Sequence, residues 1–274
     1  MPEGVEVKLS ADLIRPLVVG KTVSAILPSG TGRYAHTAPE GLAVFDKSIF
    51  THQPKVTEVG TRGKFMYWSF DHDHHLCCTF GMTGQWSPTK GNHPCITVMF
   101  DDGSSIHFND PRHFGTIRFA HSYAQMNIRK PAGWDPLQDG MNERWLNHLF
   151  NNKLSKTSKP IGQLLMDQGL FAGVGNYIRA EALYLAKMSP WREGRSISKD
   201  EFKTLSQALV DVMNESYNHQ GATILTYTDA YGAEGKYSSC FKVYGQKTDP
   251  LGNKIVKEET PDKRTIHWCP AVQI

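Results

Sequence analysis

The hydrophobic pattern of this chain changes period near its middle, and that change limits the folds open to it. Up to residue 120, short alternating or apolar runs occupy 22–27, 43–50, 55–59, 65–70, 76–80, 96–100, 105–108 and 116–119. Breaks such as Pro28-Ser29-Gly30 and Asp101-Asp102-Gly103 separate them. Roughly eight short strands at this spacing predict a β-sandwich. Residues 126–141 form a connection containing Trp134-Asp135-Pro136-Leu137, and beyond it the apolar spacing is helical over 142–150, 161–167, 177–186 and 199–218. The last stretch returns to strand and turn chemistry. The expected fold is therefore α+β, with an N-terminal β-sandwich domain over 1–125, a linker over 126–141, a helical domain over 142–235 and a terminal β-hairpin over 236–274.

A chain of 274 residues buries a sizeable core. Its net charge of +3 is mildly favourable to a polyanionic partner and excludes little. No run approaches the roughly 20 apolar residues of a membrane-spanning helix. The N-terminus carries no signal-peptide pattern, so an intracellular protein with no membrane role is expected. The five cysteines, Cys77, Cys78, Cys95, Cys240 and Cys269, form no paired framework and read as buried free thiols of a reducing compartment. The cluster Asp71-His72-Asp73-His74-His75 lies between two strand-like runs and reads as a solvated hairpin turn rather than a metal site.

The N-terminus carries potential chemistry. Removal of Met1 would leave Pro2 as a free secondary amine with Glu3 and Glu6 close behind it. An α-amino group titrates near 7.7–8.0 against about 10.4 for a lysine, so far more of it is nucleophilic at neutral pH. Val5, Leu9, Leu13 and Leu17 follow at four-residue steps, predicting a helix that packs one face on a core and stops at Gly20. Glu3 and Glu6 are either ordinary helix-start charge or acid/base groups beside the amine.

The segment Gln163-Leu164-Leu165-Met166-Asp167-Gln168-Gly169-Leu170-Phe171-Ala172-Gly173-Val174-Gly175-Asn176-Tyr177-Ile178-Arg179-Ala180-Glu181-Ala182-Leu183 is a helix, a glycine-punctuated double turn and a second helix. Backbone N–H groups at such a helix start form an anion site, to which Asn176 adds a side-chain donor. This block resembles the helix-two-turn-helix of the formamidopyrimidine-DNA glycosylase and endonuclease VIII (Fpg/Nei) family. The opening Pro2-Glu3-Gly4-Val5-Glu6 resembles the start of the same family, departing only at Val5. The resemblance implies Pro2 as nucleophile at C1′ of a damaged nucleotide, Glu3 as general acid and Glu6 in support. Arg62-Gly63-Lys64-Phe65 is similar to a family motif whose lysine contacts phosphate near the lesion, which implies that role for Lys64. Taken alone, Lys64 is a solvated edge charge.

Phe80-Gly81-Met82-Thr83-Gly84 and Asn109-Asp110-Pro111-Arg112-His113-Phe114-Gly115 resemble the family's intercalation loops. They imply that Met82 fills the gap left by an extruded base, with Arg112 on the orphaned partner base and Phe114 as a wedge. Taken singly, Met82 and Phe114 would be core residues. At the C-terminus, Val243-Tyr244-Gly245-Gln246 matches, but the following loop Thr248-Asp249-Pro250-Leu251-Gly252-Asn253 has neither Cys nor His. Only Cys269 remains of the usual final Cys-x-x-Cys. Asp249, Asn253 and Val272 stand where ligands are expected, so no zinc and no other cofactor is predicted. The alternation over 254–258 and 264–268 predicts that the hairpin is retained, and Arg264 is implied as its phosphate clamp. The whole chain is thus similar to a bifunctional DNA glycosylase/AP lyase, a Nei-like member with a zincless finger, acting as a monomer on damaged DNA. The substrates implied are oxidised pyrimidines, hydantoins and formamidopyrimidines, released with β,δ-elimination. A formamidopyrimidine/8-oxoguanine specialist, for which the loop 221–240 is long enough to cap a purine, and a non-catalytic DNA-binding protein on the same scaffold are the alternatives.

Overall fold

The structure, a computed structural model, describes residues 2–30, 32–222 and 235–274. It divides into two compact units. The first gathers Pro2, residues 6–130, Ala222 and Gly235; the second holds residues 3–5, 131–221 and 236–274.

The chain enters through α1 (Gly4–Val18), followed by β1 (Val23–Pro28), α2 (Leu42–His52), β2 (Val56–Arg62), β3 (Phe65–Phe70), β4 (His75–Thr79), β5 (Gln85–Ser87), β6 (Pro94–Phe100), β7 (Ser105–Asn109), β8 (Thr116–Ala120) and α3 (Tyr123–Arg129). Two antiparallel four-stranded sheets result, ordered β1-β6-β7-β5 and β2-β3-β4-β8. Their facing side chains make one core with α1: Trp68 of β3 meets Trp86 of β5 with ring centroids 4.7 Å apart, and Trp86 meets Phe108 of β7 at 5.3 Å. Such aromatic pairs contribute beyond the area they bury.

Two local expectations are corrected. Residues expected to form a strand over 43–50 form α2 instead, with Leu42, Phe45 and Ile49 buried at helical spacing. A short apolar run does not by itself separate the two periods, and the chain settles it with left-handed backbone at Gly41 (φ 78°) and Gln53 (φ 51°) bracketing the helix. In α1 the core face is Val7, Ala11, Ile14 and Val18, while Leu13 and Leu17 are only partly buried against it. At about 100° per residue, four-residue steps drift roughly 40° each, so a stripe drawn in fours rotates off the face that a step of three restores. Asp71–Asp73 forms a 3₁₀ turn between β3 and β4, although His75 is drawn into β4 and is buried, with ring nitrogens 3.1 Å from Ser69 Oγ and 3.1 Å from Asp73 Oδ1. All five cysteines are free thiols, and all but Cys240 are buried.

The second unit contains α4 (Pro136–Asp139), α5 (Glu143–Asn152), the single turn α6 (Ile161–Leu164), α7 (Asn176–Leu185), α8 (Lys199–Asn218), and the hairpin β9 (Val256–Glu259) and β10 (Thr265–Trp268). The long helix α8 starts on a capping box in which Ser198 and Glu201 satisfy each other's backbone N–H groups. Its apolar face, with Phe202, Leu205, Leu209 and Met213, is buried. Tyr177, Tyr237, Phe241 and Tyr244 form a contiguous aromatic cluster with centroids 5.3–6.4 Å apart.

The terminal hairpin is organised by a carboxylate. Asp249 accepts hydrogen bonds from Leu251 N (3.0 Å), Asn253 N (2.7 Å), Asn253 Nδ2 (2.9 Å), Tyr184 Oη (3.1 Å) and the Cys269 thiol (3.7 Å). Gln273 completes the knot, accepting from Cys269 N and donating to Met188 O. On the strand side, the indoles of Trp191 and Trp268 both donate to Glu258 Oε2, at 3.0 and 2.7 Å. A closed zinc site needs four N or S ligands, and this knot offers one sulfur already engaged with a carboxylate. No group of three or more His, Cys, Asp or Glu suited to a metal occurs among the described residues. The residues present therefore do not fit a structural zinc.

Desolvation pushes the Asp249 carboxyl up, but the bonds from Asn253, Tyr184 and Leu251 outweigh it and hold the group below its usual range. A lowered folded value means that its stabilisation is complete above the unfolded value of about 3.9 and is lost as pH falls through the folded one. Calorimetric unfolding of Asp249→Asn should show a lower Tm than wild type at pH 7, and the difference should shrink at pH 3. A chelator should leave both Tm values unmoved, and elemental analysis should find no stoichiometric zinc.

Candidate active site and nucleic-acid interface

The glycine-punctuated turn between α6 and α7 is stitched by one side chain. Gln168 Nε2 donates to Met166 O and Val174 O, and its Oε1 accepts from Gly173 N at 3.0 Å. Gly173 takes φ 91°, a conformation that suits glycine. The turn delivers Gly175 to the start of α7, where a Cβ would lie 2.2 Å from the Glu3 carboxyl carbon. Only glycine leaves room for that carboxylate.

Glu3 is buried, and its oxygens accept from the first turn of α7: Oε1 from Tyr177 N at 3.0 Å and Oε2 from Ile178 N at 3.3 Å. The anion expected at this helix start is thus the chain's own Glu3, held where the N–H groups and the helix dipole favour negative charge. Gly4 N donates to Gly173 O at 2.9 Å and fixes the backbone beside it. Asn176 is the first residue of α7 and is partly exposed. Arg264 is exposed in the turn before β10, with Nε 3.6 Å from Asp262 Oδ2. One residue joins these two positions. The guanidinium of Arg179, fully buried, donates through Nη2 to Asn176 Oδ1 (3.0 Å) and to Thr265 O (3.2 Å).

In the first unit, Pro2 is buried and Glu6 Oε1 accepts from Ala222 N at 2.9 Å. Most of the loop 221–240, expected to cap a purine, lies outside the described residues. Lys64 sits with Gly63 in the tight turn between β2 and β3 rather than opening a strand. The two loops carrying Met82, Arg112 and Phe114 are tied together by the buried carboxylate of Asp110. It accepts from the Thr83 hydroxyl, from Arg112 N at 3.3 Å and from Gly115 N at 2.6 Å. Arg112 and Phe114 project from this knot with the guanidinium 5.1 Å from the ring centroid, Phe114 being 53% exposed. A Phe in an otherwise polar loop is usually turned into the core. Here Gly81, with φ 59° and no room for a Cβ beside the Phe114 backbone, brings the loops so close that the ring is left outside.

Sequence reasoning missed three buried charges: Asp110, Arg179 and Glu181. Glu181 accepts from Lys242 N (2.9 Å), Val243 N (3.0 Å) and Tyr244 N (2.7 Å), while desolvation pushes its carboxyl above the usual range against those bonds. The available signal was the composition of 177–183. Two charges embedded among Tyr, Ile, Ala and Leu on a helix without a polar face must be buried and must have partners.

Asp110→Ala should strand three donors and cost roughly 1–3 kcal/mol in urea unfolding. Phe114→Ala, which removes an exposed ring, should stay within about 0.5 kcal/mol of wild type in the same measurement.

Comparison with known proteins agrees along the whole chain. Residues 1–117 match the formamidopyrimidine-DNA glycosylase N-terminal domain, 133–228 its H2TH domain and 237–274 its C-terminal domain. The chain is 30% identical to formamidopyrimidine-DNA glycosylases of Thermus thermophilus and Herpetosiphon aurantiacus, over all of this chain and 98% and 100% of theirs. Among solved structures, the MutM (Fpg) protein of Thermus thermophilus superposes with a TM-score of 0.83 at 28% identity, covering 99% of this chain and 98% of that one. A Lactococcus lactis Fpg variant in complex with Fapy-dG-containing DNA gives 0.84 at 25% identity, with 99% of each chain covered. With the sandwich, the glycine turn and the hairpin all in place, the chain belongs to the formamidopyrimidine-DNA glycosylase family.

Proposed function

We propose that this chain is a bifunctional DNA glycosylase/AP lyase that removes oxidised bases through its N-terminal proline. The observation that carries this reading is the Glu3 carboxylate, buried on the first turn of α7 and covalently next to Pro2. Support also comes from relatives whose structures are described as complexes with Fapy-dG or abasic-site DNA. Those names favour formamidopyrimidine lesions as substrates. The hairpin without zinc ligands favours the second reading, a Nei-like range that includes oxidised pyrimidines and hydantoins.

In the reaction, the secondary amine of processed Pro2 attacks C1′, and the bond from C1′ to the damaged base breaks. Glu3 takes the proton released from the proline nitrogen and returns it to the departing base. The C1′–O4′ bond then breaks, O4′ taking a proton from solvent, and leaves an iminium (Schiff base) between Pro2 and the opened deoxyribose. Loss of a C2′ proton from this electron sink expels the 3′ phosphate, and a second elimination expels the 5′ phosphate. Glu6 supports the site. Lys64, Asn176 and Arg264 hold phosphates, while Met82, Arg112 and Phe114 occupy the gap left by the extruded base.

Borohydride should trap a covalent complex between the processed protein and abasic-site DNA. Pro2→Ala, or a form retaining Met1, should trap far less. Equal trapping by either would show that another amine is the nucleophile and overturn the proline assignment, whereas no trapping by the processed protein would favour a non-catalytic DNA binder. Glu3→Gln should lose base excision while keeping part of the cleavage of a preformed abasic site, where no base remains to be protonated. A panel of thymine glycol, hydantoin, formamidopyrimidine and 8-oxoguanine duplexes then separates the two substrate readings.

A further inference from the structure

Arg179 is the most deeply buried cation among the described residues of the second unit, with a fully enclosed side chain. Guanidinium burial is costly unless its donors are used. Here Nη1 donates to Gly162 O at 2.8 Å and to Thr260 Oγ1 at 3.4 Å, and Nη2 donates to Asn176 Oδ1 and Thr265 O. Thr260 in turn donates, through both its backbone N–H and its hydroxyl, to the carbonyl of Arg264 at 2.9 and 2.7 Å. One planar group therefore binds α6, the start of α7 and both arms of the β9–β10 hairpin. Burial pushes this guanidinium down to about 10, with Asp262 and Glu3 pulling it back, so it keeps its charge at neutral pH.

The chemistry of the contact decides which way Asn176 faces. A guanidinium has donors only, so the amide must turn its oxygen inward, and both hydrogens of Nδ2 are then available on the other side. Residues 176 and 179 lie one helical turn apart on the same face, which lets the contact form without distorting α7. The same nitrogen that orients Asn176 also holds the carbonyl of Thr265, next to Arg264 in the chain.

We propose that Arg179 is the positioning residue of a two-part phosphate clamp: its buried guanidinium turns the Asn176 amide donor-side out and pins the hairpin arm that carries Arg264, without touching DNA itself. This rests on the reading of Asn176 and Arg264 as phosphate ligands. It predicts that the two act as one unit whose geometry is set from inside the protein.

The test is a double-mutant cycle on the full chain, with binding of a duplex containing a tetrahydrofuran abasic analogue read by fluorescence anisotropy. Asn176→Ala and Arg264→Ala first establish the clamp; each should weaken binding roughly tenfold, the loss of one charge-assisted bond. Arg179→Met should weaken binding to a similar degree on lesion-containing and undamaged duplexes, with a larger effect on KM than on kcat at saturating DNA. In the Arg179→Met background, Asn176→Ala should cost less than twofold more, because its amide is no longer aimed. Arg179→Lys keeps the charge but not the fork, so it should resemble Arg179→Met; it carries the same cycle if the methionine variant does not fold. Binding by Arg179→Met or Arg179→Lys within twofold of wild type, or a full Asn176→Ala penalty in either background, overturns the proposal. If instead Asn176→Ala and Arg264→Ala themselves leave binding unchanged, it is the phosphate-ligand reading that falls.

Discussion

Buried carboxylates seated on backbone N–H groups hold the functional parts of this protein together. Glu3 closes the first turn of α7, Glu181 gathers three successive N–H groups of 242–244, Asp110 ties two loops, and Asp249 organises the terminal hairpin. In each case a loop that cannot satisfy its own donors by regular structure receives an acceptor-only group with several lone pairs. The arrangement is demanding in both directions. Removing the carboxylate leaves unpaired donors, and removing the loop geometry leaves a charge without water. Irregular backbone, which is ordinarily the yielding part of a fold, is here tied down by buried side chains.

This division of labour explains the placement of the exposed groups. Asn176, Arg112, Phe114 and Arg264 have little buried support of their own. They stand on turns whose conformation is set by Arg179, Asp110 and Thr260 beneath them. On the proposed reading these side chains meet a flexible polyanion, and such pre-organisation helps them because ordering is completed before the partner arrives.

Much of this was legible in the sequence. The period change near 126 separated sandwich from helices, and the double-glycine turn located the start of α7 within one residue, because a helix cannot begin before Gly175 has made its turn. Glu3 stands out in the sequence, but its seat on a helix 174 residues away in the chain does not, since no local pattern encodes a long-range cap. The strand expected over 43–50 failed for the opposite reason, a local pattern too short to choose between periods and decided by tertiary burial. Asp249 was visible only as a missing ligand. That it would accept five hydrogen bonds could not be read from its neighbours, because two of the donors, Tyr184 and Cys269, come from distant segments.

The carboxylate knot at Asp249 also bears on the conditions under which the protein can work. A thiolate cluster holding a metal depends on metal supply and is exposed to oxidants, since thiolate character and access govern sulfur oxidation. Here the single sulfur at that position, Cys269, is fully buried and donates its proton to Asp249. The remaining partners, an amide, a phenol and backbone N–H groups, are not thiols. A protein whose proposed substrates arise from oxidative damage thus keeps the Asp249 end of its terminal hairpin on contacts that do not depend on an accessible thiolate.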